Sequence, residues 1–227
     1  MGLALLSKYM IFKKNAVLCS FDLMLTCNIA DFSSGLVAVD GVNDGTQTYF
    51  VFTTSKGQIT TVTVSHPETK VSFKIEADSK ITSLCVQKST FAFLGTERGR
   101  VIKVDMNSRK IIEKYDTDSQ FPIYNLRVDN DFLIFGTCHG ELHIVNHDLK
   151  EGRVVSAHQG MVALLWVTKD SVYSVGDDLV LRVWAFSKDG SIAEKRHEFY
   201  DKKPNLLFSI KGSTFINFYE ETELVEV

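Results

Sequence analysis

Three side chains in the second half of the sequence could do chemistry together. His158, Ser174 and Asp178 supply an imidazole, a hydroxyl and a carboxylate, the ingredients of a hydrolase triad. No nucleophile elbow and no Gly-rich oxyanion loop accompanies them. The same groups are matched donors and acceptors for a structural network. Cys138, His139, His143 and His147 form a second cluster, with His158 beyond them. On a helix their spacing would make a metal-binding face. This segment reads instead as turn, strand, turn, which sends the three histidines to different places. No G-x-G-x-x-G, P-loop or H-E-x-x-H pattern occurs. The residues nominate no catalytic group, no metal ligand and no cofactor-binding group, and no cofactor is expected.

The elements that must position His158, Ser174 and Asp178 lie between Ser156 and Phe186. A polar turn, SAHQG, opens the stretch, and an apolar run, MVALLWV, follows. TKD breaks that run, SVYSV starts again, GDDL makes a second tight turn, and VLRVW closes. These are three short strands with short turns, not a helix and a strand. Residues 191–199 supply a fourth.

This stretch resembles one blade of a WD-repeat β-propeller. The family pattern places a His before the innermost strand, a Ser or Thr in the second, an Asp in the following turn and a Trp near the end of the third. His158, Ser174, Asp178 and Trp184 match it, and Ala185 stands where the family has its naming Asp. The resemblance implies that the four matching groups form a hydrogen-bonded tetrad tying the blade together. GQITTV (57–62), GRVIKV (99–104) and GELHIV (140–145) fall on the frame of LVLRVW (179–184), repeating about every 40 residues. AVLCSF (16–21) and TELVEV (222–227) extend the frame both ways. Outside the fifth unit the tetrad erodes. The Trp position holds Phe21, Val62, Val104 and Val145, the Ser position Leu94 and Phe135, and the Asp position Lys56, Arg98 and His139. Those blades are expected to stand on apolar packing.

The expected fold is therefore all-β. Residues 1–227 read as a single WD-repeat-like propeller domain with blades at about 1–30, 35–75, 79–116, 122–156, 160–199 and 204–227. The sixth lacks its outer strand, and the ring is either imperfectly closed or open. GLVAVDGVNDGTQ (35–47) reads as the least regular part, HPET (66–69) as a turn and PIYNLRV (122–128) as a strand.

The chain has 227 residues, 44% of them hydrophobic and 23% charged, so it is ordinary globular protein rather than a disordered one. Its net charge of −3 gives no global pull toward nucleic acid. Cys19, Cys27, Cys85 and Cys138 stand singly, without a C-x-x-C pair, and no N-x-S/T site occurs. Both facts suit a reducing compartment, the cytoplasm with the nucleus as alternative. Lys8 breaks the apolar start and no cleavage site follows, so no signal peptide is expected. No stretch approaches the length of a membrane span, so no membrane partner is expected.

The most concrete functional expectation is a non-catalytic protein-interaction scaffold within a larger assembly. Lys56, Arg98, Arg100, His139 and Asp178 are placed on or near a blade-top rim that would meet a protein partner. Leu224 and Val225 are placed on an unfinished edge strand (222–227) to which a partner could add a strand or blade in trans. One alternative is a nucleic-acid-associated propeller using the basic patch of Arg98, Arg100 and Lys103 on blade three. The other is an enzyme with a central-channel site, which the apolar inner strands LVAV, ITSLCV, IYNLRV and VALLWV disfavour.

Overall fold

The computed structural model describes residues 4–6, 9–11, 16–20, 26–30, 35–43, 46–63, 66–129, 131–210, 213–218 and 224–227. Side chains are described from residue 35 onward, except 66–69 and 210. Every regular element among these residues is a β-strand. The chain divides into two compact units, Met1–Asp116 and Thr117–Val227.

The first unit holds three four-stranded antiparallel sheets. They are β1 (Ala4–Leu6) to β4 (Thr26–Ala30), β5 (Leu36–Asn43) to β8 (His66–Lys74), and β9 (Ile81–Gln87) to β12 (Lys110–Asp116). The second unit holds β13 (Asn125–Val128) to β16 (Gly152–Ser156), β17 (Val162–Val167) to β20 (Ile192–Phe199), and a sheet of β21 (Pro204–Ile210), β22 (Ser213–Phe218) and β23 (Leu224–Glu226). In every sheet each strand pairs with the next in sequence. Short turns permit only this meander.

The sequence counted six blades, and the structure has five complete ones. The last sheet has three strands among the described residues, and β23 pairs with β22 over only three positions. Three local readings also change. HPET is not a turn, because His66 opens the long strand β8. β8 is the last strand of its sheet, where a proline without an N–H is tolerated. The inner strand LVAV runs on through the irregular stretch to Asn43, as the eight-residue β5. PIYNLRV forms a strand only from Asn125 on. Asp44, Gly45 and Phe21 lie outside the described residues.

Burial follows strand position. β10 (Phe91–Thr96), second in its sheet, is buried along nearly its whole length, because both of its faces meet apolar groups. β12, fourth in the same sheet, alternates exposed and half-buried residues. Val51, Ile59, Leu84, Leu94, Ile102 and Val104 form one core between the second and third sheets. Ile134, Leu142, Val162, Leu165, Val172 and Trp184 form another between the fourth and fifth. Burying each such side chain contributes roughly 1.5–3 kcal/mol, so apolar packing holds the second, third and fourth sheets, which lack a tetrad.

Polar side chains stitch neighbouring first strands together. Asp40 on β5 accepts the N–H of Val86 on β9 at 2.8 Å. Asn125 on β13 donates to the carbonyls of Val162 and Ala163 at β17, each at 2.9 Å. The first strand of a sheet lacks a ladder partner on one side, and these side chains satisfy part of that edge.

Candidate functional site

The structure brings His158, Ser174, Asp178 and Trp184 into one chain of hydrogen bonds. Ser174 sits in β18 (Ser171–Gly176) and Trp184 in β19 (Val180–Phe186); His158 and Asp178 come from the turns before β17 and β19. The indole Nε1–H of Trp184 donates to Ser174 Oγ at 2.9 Å. Ser174 Oγ lies 2.8 Å from His158 Nε2, and His158 Nδ1 lies 2.9 Å from Asp178 Oδ1. A carboxylate only accepts, so the Nδ1 beside it carries the proton. Nε2 is then the acceptor, and the Ser174 hydroxyl donates to it. Each donor in the line meets one acceptor.

Two residues that the sequence reading missed complete this network. Arg182 Nη1 lies 3.2 Å from Asp178 Oδ2 and 3.0 Å from His158 Nδ1. Since Nδ1 carries a proton, the guanidinium donates to the carboxylate. Arg182 Nε also faces Glu194 at 3.7 Å, and Glu194 holds His197 Nδ1 at 2.7 Å on the exposed strand β20. The second missed residue is Gly176. A Cβ there would stand 2.6 Å from the His158 ring and 2.7 Å from Asp178 Oδ1, so its missing side chain is the space the imidazole fills. Arg182 was legible only through register, which pairs it with Ser174.

This geometry does not present a nucleophile. Ser174 is fully buried, and its oxygen is held between an indole and an imidazole. Burial pushes the His158 imidazole below its usual titration range, against the pull of the Asp178 carboxylate. Burial raises the Asp178 carboxyl, but the N–H of Gln159 and the His158 ring outweigh it and hold it below the ordinary value. Both groups therefore bind protons less readily folded than unfolded, and stability rises with pH. His143, also depressed by burial, acts with the same sign. The histidine contributions are full above roughly pH 6.5, the unfolded value, and fall as acid titrates the unfolded chain first. The urea midpoint should stay level between about pH 8 and 7 and drop between about pH 6.5 and 5. A midpoint that rises on acidification would exclude this linkage.

Blades two, three and four brace the same turn differently. Thr54, Thr96 and Thr137 each accept a backbone N–H with Oγ1, from Gln58 at 3.2 Å, Arg100 at 3.0 Å and Glu141 at 3.3 Å. In blade five, Gly176 replaces the threonine and Asp178 Oδ1 takes the corresponding N–H, that of Val180, at 3.3 Å. The left-handed position that follows is Gly57, Gly99 and Gly140 in the threonine turns but Leu179, at φ 58°, in blade five. A left-handed Leu costs roughly 1–2 kcal/mol, partly offset by the entropy a glycine loses on folding. Leu179→Gly should thus raise stability by about 1 kcal/mol in urea melts. A loss of that size would show that the half-buried Leu179 side chain matters more.

The remaining nominated residues scatter. Lys56 and Arg98 lie exposed at equivalent turns of the first unit. Arg100 is not free for a partner, since Asp78 and Asp116 both pair with it within the unit. Lys103 is only 7% exposed, with its ammonium 4.4 Å from the Phe91 ring, so it leaves the surface basic patch. Asp178 is likewise occupied inside its own network. His139 is exposed and packs edge-on against Phe121 at 4.4 Å. His143 stacks on Phe135 at 4.8 Å, the residue at blade four's Ser position. Cys138 Sγ donates to the carbonyl of Pro122 at 3.4 Å. The members of the His/Cys cluster thus go to different neighbours. Among the described residues no group of three or more His, Cys, Asp or Glu could hold a metal ion. Leu224 and Val225 are 50% and 42% exposed on β23. No helix among the described residues is long and apolar enough to cross a membrane.

No family model and no curated protein matches this sequence. Solved structures do resemble it. A chain of the Mitotic Checkpoint Complex superposes with a TM-score of 0.76 at 14% identity, over 95% of this chain and 70% of that one. The β-propeller domain of Myceliophteria thermophila Cps50 (Swd1) superposes with a TM-score of 0.76 at 12% identity, over 99% and 84%. The computationally designed Ika8 protein gives 0.70 at 15% identity, over 95% and 67%. At such identities the likeness establishes the fold and nothing finer: this chain is an all-β β-propeller.

Proposed function

We propose that the chain is a divergent WD-repeat propeller serving as a non-catalytic scaffold, a subunit that holds other proteins in a larger assembly. The observation that carries this reading is the sealed network of blade five. The constellation with catalytic ingredients among the described residues has its hydroxyl buried and engaged, so its chemistry serves the fold. Two of the similar structures, the Mitotic Checkpoint Complex chain and the Swd1 propeller, support the reading by analogy of fold. On this reading partners meet the turns that join second to third strands. They also add to the outer edge of β23, where Leu224 and Val225 present apolar side chains. Cytoplasm, or nucleus, is the proposed location.

Affinity capture of the full chain at native levels, with mass identification, tests the proposal. Stoichiometric recovery of the same proteins in repeated captures is the expected result. A chain that elutes alone from gentle lysates would overturn it. Hydrogen exchange separates the two contact modes. Protection at 224–227 only in the assembled sample marks a strand added to β23, and equal exchange leaves the turns as the contact.

A further inference from the structure

The turns of the second unit carry a charge pattern that names a partner. Residues 117–227 hold 17 Asp and Glu against 11 Lys and Arg, whereas residues 1–116 hold 11 against 14. Segments 117–124, 137–141, 157–161 and 176–179 contain Asp118, Glu141, Asp177 and Asp178, and neither lysine nor arginine.

These segments are packed against one another. Phe121 meets His139 at 4.4 Å, and Cys138 bonds to Pro122 at 3.4 Å. The carbonyl of Gly140 accepts the N–H groups of Ala157 at 2.8 Å and His158 at 2.9 Å. The next turn closes on the same loop, where Asp177 N–H donates to the Met161 carbonyl at 2.9 Å.

Two large aromatic side chains of the 117–124 segment are exposed, and Phe121 packs on this platform. Phe121 is 46% exposed and Tyr124 51%, while Ile123 between them is fully buried and anchors the segment. Asp177 is exposed and, of the ion pairs among the described residues, enters none. Glu141 faces His143 Nε2 at 3.4 Å; fixed aromatic faces beside it and the exposed Asp177 carboxylate attract a cation through the ring quadrupole and through charge. They repel an acidic segment.

We propose that this face takes a basic segment of a partner protein, a lysine or arginine side chain seated among Phe121, Tyr124 and the carboxylates of Asp118, Glu141 and Asp177. The proposal rests on the scaffold reading and narrows it by stating the partner's charge.

A random dodecapeptide library panned on the full chain tests it. Recovered peptides are then titrated against wild type and a Tyr124→Ala/Asp177→Asn double variant. Both changes are at exposed side chains, and tryptophan fluorescence checks that the variant is folded. Peptides that the variant binds about 10-fold more weakly should be enriched in Lys and Arg over the starting library. Their binding should weaken as salt rises. Asp177→Lys, which reverses the charge, should abolish it. Variant-sensitive peptides without excess basic residues, or the recovery of none, would overturn the proposal. Its failure is separable from that of the scaffold. If affinity capture finds partners whose cross-links map away from 117–124 and 176–179, the scaffold reading stands and this site does not.

Discussion

Gly140→Ala is expected to cost about 2–5 kcal/mol, from two effects that a control separates. Gly140 has φ 81°, and a Cβ there would stand 1.9 Å from the carbonyl oxygen of His158 and 2.7 Å from that of Gly160. These are backbone atoms and cannot rotate aside. Retreat of the loop would break the bonds that the Gly140 carbonyl receives from Ala157 and His158. A left-handed alanine alone costs roughly 1–2 kcal/mol, and the forced displacement adds roughly 1–3. Gly35 has φ 80° and nothing within 4 Å of its would-be Cβ, so Gly35→Ala carries only the first cost. Trp166 and Trp184, the only tryptophans, both lie in blade five. Their fluorescence therefore reports the loop that Gly140 supports. In urea melts Gly140→Ala should lose at least twice what Gly35→Ala loses. Equal losses would mean that the close approach carries no energy.

The strands were legible because their period and turns are set locally. Apolar runs of five or six residues between Gly- and Asp-rich turns leave few other options. The tetrad was legible for a different reason. Buried indole, imidazole and carboxylate groups each require a partner, and a known pattern supplied the pairing. What stayed hidden depends on register or on contacts between blades. Lys103 reads as a surface lysine until the pairing sets it opposite Phe93, on a face closed by packing. Arg100 reads as a free cation until its strand is laid beside Asp116. The threonine caps at 54, 96 and 137 were visible as T-x-x-G at the repeat spacing. Their role was not, because a Thr beside a tight turn reads the same whether or not its hydroxyl takes the N–H four residues on. Asp40 and Asn125 act between blades, and nothing in their own strand marks them.

Asp178→Ala is expected to cost about 2–3 kcal/mol, because one carboxylate satisfies four donors at once. Its Oδ1 takes the imidazole N–H of His158 at 2.9 Å and the backbone N–H of Val180 at 3.3 Å. Its Oδ2 takes the backbone N–H of Gln159 at 3.2 Å and Arg182 at 3.2 Å. The side chain is only 12% exposed, so water replaces it poorly. Alanine would leave the Nδ1–H of the buried imidazole without an acceptor and Arg182 with Glu194 as its remaining carboxylate, at 3.7 Å. If the His158 proton shifts to Nε2, Nδ1 accepts from Arg182 at 3.0 Å, but Ser174 Oγ then receives both the imidazole and the indole N–H, and its own proton loses its acceptor. Asp178→Asn should cost about half as much, since an amide oxygen still accepts but the charge opposite Arg182 is gone. A double-mutant cycle with Trp184→Phe should show coupling of about 1 kcal/mol although the two side chains do not touch, because Ser174 and His158 carry the effect between them. Denaturant melts measure all of these. A loss below about 0.5 kcal/mol for Asp178→Ala at an unchanged m-value would show that the four groups lie together without holding the blade.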